Sequence, residues 1–227
     1  FNKGGETRKW YGNNEKILKF DNKSYSELLE LGNHLPSRNL YFKKGLTWSK
    51  ISNEWNVRYD DYGFIFSSVG LKGFPKEENN LYILSFLNSN TALIFTTIIS
   101  STLSIVSGDI EKLPVIFPKQ DYTKQQIDTL TQECIDISKE EWDSRETSWD
   151  FTKNELLKHK SDSKIQTAYD NYCQVWSEKF YKLHANEEEL NRLFIDIYEL
   201  GDELTPDVEL KDITILKSES IINDNNE

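Results

Sequence analysis

Basic and aromatic side chains alternate at short spacing through the first half of the sequence. Lysine and arginine neutralise phosphates, a planar guanidinium can hydrogen-bond both acceptors of guanine, and hydroxyl or aromatic side chains fix the register of a nucleic acid. These residue types predict a surface that contacts DNA. An ordinary sheet with exposed edges uses the same side chains, so this structural alternative stays open. The candidate DNA contacts are Lys3, Arg8, Lys9, Arg38, Lys43, Lys44, Thr47, Trp48, Lys50 and Arg58.

Motifs of a catalytic centre are missing from the sequence. It contains no Walker A loop, no GxSxG, no HExxH and no GxGxxG after a strand. Asp207, Glu209 and Lys211 have the residue types of a metal-dependent nuclease, but no strand separates the two carboxylates to fold one back onto the other. We therefore expect a solvated turn there. Since the histidines and cysteines are scattered, neither a catalytic residue nor a metal site is predicted.

The charge of the chain is divided unevenly between its halves. The 227 residues carry a formal charge of −11, with 13% aromatic content that indicates a folded protein. Residues 1–120 hold 15 Lys and Arg against 12 Asp and Glu, whereas residues 121–227 hold 12 against 26. The first half could therefore meet a polyanion, while the second half is solvated or faces a protein partner.

The secondary structure that must position these side chains is predicted to consist of short strands in the first half of the chain and of helices further on. In the first half, short aromatic or β-branched runs between turns predict strands at 17–20, 39–42 and 64–66, with a short helix at 24–31. Residues 79–108 carry no charge. Asparagine and serine interrupt that stretch, so two buried helices are expected there rather than a membrane span.

The second half has the periodicity of helices that pack along one another. A capping box at Thr123 and Gln126 begins the first, whose seam consists of Ile127, Leu130, Cys134 and Ile137. A second stripe covers 165–183, and a third helix is predicted to begin at Asn186. The predicted fold class is α+β, with a small mixed-sheet domain at 1–120, an acidic helical bundle or hairpin at 121–217 and a mobile tail at 218–227.

The compartment predicted from the sequence is the cytoplasm. No secretory signal is visible, and the two cysteines, Cys134 and Cys173, stand alone and are expected to be reduced. The sequence begins at Phe1 and contains no methionine, so we interpret it as a piece of a longer protein.

Several blocks of the sequence resemble one family over most of the chain. They are similar to the target-recognition and C-terminal region of BREX-system, PglX-type adenine-specific DNA methyltransferases, which are related to type IIG restriction-modification enzymes. The chain departs from that family at Arg145 and in the segment 152–157. The blocks are KGGE (3–6), RKWYGN (8–13), GLTWSKIS (45–52), RY (58–59), GFIF (63–66), 84–88, GDIEKLP (108–114), WDSRETSWDF (142–151), NEEELNR (186–192) and DELTP (202–206).

The resemblance implies a role in choosing the DNA site for bacterial antiviral defence. The family's Asn-Pro-Pro-aromatic methylation motif and its glycine-rich cofactor turn do not occur here. The resemblance thus implies that S-adenosyl-L-methionine and catalysis belong to an upstream methyltransferase domain and that this piece alone is inactive. The implied partners are double-stranded DNA, that upstream domain and other defence-system subunits, with no membrane. The alternative is an acidic protein-interaction module of such a complex that has no direct DNA contact.

The resemblance also suggests how the chain would be oriented on DNA. The sheet half would lie in the major groove, with Arg8, Lys9, Lys43, Lys44 and Arg58 as leading contacts and Arg58 as the base-reading residue. The acidic helical half would face away because like charges repel.

Overall fold

A computed structural model describes residues 1–52, 54–100, 104–217 and 219, and it has the α+β fold that the sequence predicts. The strands are β1 (Gly45–Ser49), β2 (Arg58–Asp60) and β3 (Gly70–Gly73). They form an antiparallel sheet in the order β2-β1-β3. Thr47 of the central strand lies opposite Arg58 on one side and Lys72 on the other, so a row of polar side chains crosses one face.

Seven α-helices occur within the described residues. They are α1 (Asn22–Glu30), α2 (Asn80–Asn88), α3 (Asn90–Ile99), α4 (Ser107–Ile110), α5 (Asp121–Asp143), α6 (Glu155–Lys158) and α7 (Ile165–Tyr198). The helix predicted at 24–31 is confirmed as α1, which the Asp21 carboxylate caps by accepting the Ser24 backbone N–H. Helices α5 and α7 pack against each other, as the predicted hairpin requires.

The predicted positions of the strands are wrong. Those predicted at 17–20, 39–42 and 64–66 are loop, apart from a 3-10 turn at Arg38–Leu40 and a single bridge between Asn2 and Phe66. The aromatic side chains of these runs contact one another edge to face. The ring centroids of Phe20 and Tyr41 are 6.0 Å apart, and those of Tyr41 and Phe66 are 5.7 Å apart. The runs therefore build a small aromatic cluster between loops instead of a sheet.

The uncharged stretch folds into two helices, as predicted, but only α2 is largely buried: in α3, Leu93 is 44% exposed and Ile98 is 76% exposed. The break falls at Ser89, whose hydroxyl accepts the Ala92 N–H and begins α3. Tyr82, Leu84 and Phe86 of α2 have no exposed surface and belong to the core. Within the described residues no single helix has the length and apolarity to cross a membrane; Glu77–Asn88 and Asn90–Ile99 would have them only as a pair, and the pair is bent by 73°.

The second and third helices predicted in the acidic half are one continuous helix, α7. The predicted cap residue Asn186 is buried within it and donates to Glu133 of α5 at 2.9 Å. This contact between helices replaces the end that the local pattern predicts. Helix α5 begins at Asp121 without a side-chain cap, so the capping box at Thr123 is also wrong.

One hydrophobic core joins both halves of the chain. Trp10 and Tyr11, each 1% exposed, pack in the same cluster as Leu46 of the sheet, Ile127 of α5 and Phe194 of α7. The predicted domain boundary at residue 120 stays a prediction. The tail predicted at 218–227 lies outside the described residues except for Glu219.

Stability is expected to fall steeply above pH 10. Burial raises the pKa of Tyr11 and Tyr82 well above the ordinary value of 10.0. The unfolded chain releases these protons first, so the contribution is complete below pH 10 and decreases above it, by about 1.4 kcal/mol per pH unit and tyrosine. Urea unfolding between pH 8 and 11 should show this slope. Tyr82→Phe should reduce it, and Tyr122→Phe, at an exposed position, should not.

Candidate nucleic-acid interface

Five of the candidate DNA contacts lie at the surface. Within the part of the chain that the structure describes, none of these five forms an ion pair, although Arg38 donates to the Tyr25 hydroxyl at 3.2 Å. Their charge is therefore free to attract an anion. Lys3, Arg38, Lys43 and Lys44 are exposed, and Lys50 is half-buried.

Four of these cations, Lys3, Lys43, Lys44 and Lys50, are grouped at the two ends of the central strand. Lys43 and Lys44 precede β1, and Lys50 follows it. The Ser49 hydroxyl donates to the Gly5 carbonyl at 3.3 Å, which places Lys3 at the same end as Lys50. A strand of five residues spans about 17 Å. The two groups could therefore contact separated phosphates of one duplex.

Three other candidates are buried in the sheet. Thr47 is 5% exposed, Trp48 is 2% exposed and Arg58 is 1% exposed. The Thr47 hydroxyl donates to the Leu71 carbonyl at 2.8 Å, and Trp48 belongs to the core. Direct contact between these side chains and DNA would require the sheet to open.

Arg58 is buried and forms no ion pair with a carboxylate of the described residues. Among the described residues its Nε and Nη2 have no hydrogen-bond partner, and its Nη1 lies 3.4 Å from the Asn56 side-chain oxygen and 3.5 Å from the Arg8 carbonyl. Burial, together with the nearby charge of Arg8, lowers the pKa of Arg58 to about 10. Arg58 therefore destabilises the folded state where it lies.

Arg58→Met is expected to raise the free energy of unfolding by about 1 to 3 kcal/mol, because it removes an unpaired buried charge and keeps most of the volume. Urea denaturation measures the change. Arg38→Met, at an exposed position, should change stability little. A loss of several kcal/mol in Arg58→Met would show that the guanidinium has a stabilising partner in solution.

Arg8 and Lys9 are held by carboxylates of the acidic helices. Arg8 forms an ion pair with Glu141 of α5, and its guanidinium lies 5.0 Å from the centre of the Trp142 ring. Lys9 Nζ lies 2.6 Å from Glu187 of α7. The second carboxylate oxygen of Glu187 accepts the indole N–H of Trp10 at 2.7 Å. These cations join the two halves of the chain, and their side chains are only 12% and 17% exposed.

Sequence reasoning missed Glu141 and Glu187. Glu141 continues the 3-4 spacing of the seam four positions after Ile137, and Glu187 follows Leu183 at the same spacing. A carboxylate on an apolar stripe indicates a buried acid that must pair with a cation, so a signal was present. Both side chains are 3% to 4% exposed.

Two sequence blocks that carry the resemblance meet in space. A cleft of about 510 Å³ lies between the N-terminal block, the end of α5 and the segment near Thr214. Lys3, Arg8 and Asn13 line one side, and Trp142 and Arg145 line the other. The Arg145 guanidinium donates to Glu141 at 2.8 Å, so the same buried carboxylate holds both blocks. These blocks thus form one structural unit.

Comparison with known proteins identifies the chain as homologous to a part of the adenine-specific methyltransferases. It is 35% identical, over 96% of its own length, to adenine-specific methyltransferase PglX of Lacticaseibacillus casei (strain Zhang), and 32% identical, over 92%, to adenine-specific methyltransferase BrxX of Escherichia coli O9:H4 (strain HS). It spans 19% and 17% of the lengths of these two relatives. No protein-family model matches the chain. The resemblance to PglX-type methyltransferases is confirmed.

Proposed function

We propose that this chain is the DNA-recognition portion of a site-specific adenine-N6 DNA methyltransferase of a bacterial phage-defence system. The observation that carries the proposal is the set of cations on the sheet half that form no ion pair among the described residues, in a chain homologous to adenine-specific methyltransferases. The parent enzyme would act in the cytoplasm on double-stranded DNA. Its upstream domain would bind S-adenosyl-L-methionine and transfer the methyl group.

A separate recognition portion has a physical purpose in such an enzyme. Methylation of adenine requires the base to leave the duplex, at a cost of a few kcal/mol, while the surrounding helix stays in one register. Contacts from Lys3, Lys43, Lys44 and Lys50 to the backbone would hold that register. The acidic helices would face the methyltransferase domain or other subunits, because their charge repels phosphate.

Replacing Lys43 and Lys44 with alanine is expected to weaken binding to every duplex sequence. Each phosphate contact contributes about 0.9 to the slope of log K against log salt, so the slope should flatten by about two if both lysines contact phosphates. Titration of duplex DNA from low to high salt measures it. The matched control is Lys160→Ala with Lys164→Ala, two exposed lysines of the acidic half.

The same titration separates DNA recognition from the alternative of a protein-interaction module. The proposal requires salt-dependent association of duplex DNA with the parent methyltransferase, reduced by the Lys43 and Lys44 changes. If the parent binds DNA equally well with and without these changes and at the same slope, the lysines are solvated only. If removal of this whole portion also leaves site choice unchanged, DNA recognition is wrong and the interaction module is favoured.

A further inference from the structure

An exposed aromatic side chain directly precedes two lysines of the proposed DNA contact. Phe42 is 68% exposed, and Lys43 and Lys44 follow it at the beginning of β1. Neither lysine forms an ion pair among the described residues. A single exposed apolar residue is common at protein surfaces, so the exposure of Phe42 alone assigns no role to it.

The backbone holds Phe42 in a conformation that bulky residues rarely adopt. Its φ is +63°, in the left-handed region, which is costly for a residue other than glycine. A neighbouring loop packs closely against this turn, because a Cβ added at Gly63 would lie 2.4 Å from the Phe42 carbonyl oxygen. Position 42 thus carries an aromatic ring where glycine would adopt the same backbone without steric cost.

Burial of the side chain accounts for the same strain at other positions but not at Phe42. Among the described residues, three other large apolar residues have a positive φ: Trp10, Leu35 and Leu216. Trp10 and Leu35 are buried and Leu216 is half-buried, so the packing of their side chains offsets the cost. The ring of Phe42 lies 6.1 Å from that of Phe20, centroid to centroid, yet most of its surface stays in water. The strained turn therefore presents the ring to solvent.

Acidic side chains also lie near this end of the sheet. Asp60 and Asp61 form ion pairs with lysines of β3 and α5, and Asp21 caps α1. The glutamates at 77–78, which follow β3, are exposed. These acids weaken the attraction of phosphates to this end, so charge alone does not explain a contact with DNA here. Stacking of an aromatic ring against a base needs no counter-charge.

We propose that the ring of Phe42 inserts between base pairs of the bound duplex while Lys43 and Lys44 contact the flanking phosphates, an inference that rests on the proposed function. Apolar side chains inserted in this way partly unstack one step of a duplex. An inserted ring stabilises a duplex from which a base has left the stack, because the ring replaces the lost stacking partner. Phe42 would thus assist the extrusion of the adenine, beyond holding the register of the helix.

The test compares the binding of this chain to two fluorescein-labelled duplexes that differ by a single abasic site. The missing base removes part of the cost of unstacking, so fluorescence anisotropy should show tighter binding of the abasic duplex, by about fivefold or more. Phe42→Ala should abolish this preference, and Phe42→Leu should keep part of it, because leucine can also insert. Tyr181→Ala, at an exposed position of α7, should keep the preference in full. Replacing Lys43 and Lys44 with alanine should weaken the binding of both duplexes equally.

A second measurement separates stacking on DNA from a role of Phe42 in the fold. In Phe42→Gly, relief of the strained φ offsets the lost contact with Phe20, so the midpoint of urea unfolding should stay close to that of the unchanged chain. The preference for the abasic duplex should nevertheless be lost. A much lower midpoint, with an equal loss of binding to both duplexes, would make Phe42 a structural residue and overturn the proposal.

The failure of the insertion and the failure of the proposed function give different results. If the unchanged chain binds both duplexes equally, or if Phe42→Ala keeps the preference for the abasic site, the insertion is wrong and DNA recognition stands. If neither duplex binds even at low salt, the result contradicts both the insertion and the proposed function.

Discussion

Replacing Glu187 with alanine is expected to lower the free energy of unfolding by about 3 to 5 kcal/mol, the usual cost of breaking a buried ion pair on one side. Glu187 is 3% exposed in its side chain and accepts from both Lys9 and the indole of Trp10. Its removal leaves a charge and an indole N–H without a partner at the junction of the sheet half and α7. Urea denaturation monitored by tryptophan fluorescence measures the loss.

Two further variants test whether the loss of stability comes from the buried ion pair. Glu178→Ala changes an exposed glutamate of the same helix and should cost less than about 1 kcal/mol. Glu187→Gln keeps the shape and one acceptor, so it should fall between the two. If Glu187→Ala is as stable as Glu178→Ala, the clasp formed by Lys9, Trp10 and Glu187 contributes nothing to stability.

The helices could be predicted because their apolar residues repeat at helical spacing. The seam from Ile127 to Ile137 places α5 correctly, and the stripe from Ile165 to Leu183 places the first half of α7. The break predicted at Asn186 is wrong. Asn186 and Glu189 have the pattern of a capping box, but Asn186 lies inside the continuous helix α7 and donates to Glu133 of α5. Local patterns cannot report a contact between residues 53 positions apart in sequence.

The strands could not be predicted because they have no alternating pattern. Four of the five residues of β1 are buried, since the N-terminal segment covers one face and helices cover the other. Strands β2 and β3 carry Arg58, Asp60 and Lys72, all buried. Sequence reasoning assigns charged residues to the surface, so it predicts Arg58 as a DNA contact. Only the three-dimensional packing distinguishes these cations from the exposed Lys43 and Lys44.

Replacing Asp60 with alanine is the second change expected to have a large effect. The carboxylate pairs with Lys72, and both side chains are at most 1% exposed. The carboxylate also accepts the backbone N–H groups of Tyr62, Gly63 and Phe64 at 2.9 to 3.1 Å. Asp60→Ala would leave the three backbone N–H groups without their acceptor and the buried Lys72 ammonium without its counter-charge, so a loss of about 3 to 5 kcal/mol is expected. Asp196→Ala, at an exposed position, is the control.

Lys72→Met should cost less than Asp60→Ala. Without Lys72, the Asp60 carboxylate still accepts three backbone N–H groups, whereas without Asp60 the Lys72 ammonium keeps the Lys43 carbonyl as a hydrogen-bond acceptor but has lost its counter-charge. Burial lowers the pKa of Lys72 and Asp60 opposes this, so in Asp60→Asn the pKa should fall further. Because the folded state then releases its proton first, the stability of Asp60→Asn should rise with pH below 10.5. Equal losses in Asp60→Ala and Lys72→Met would contradict this asymmetry.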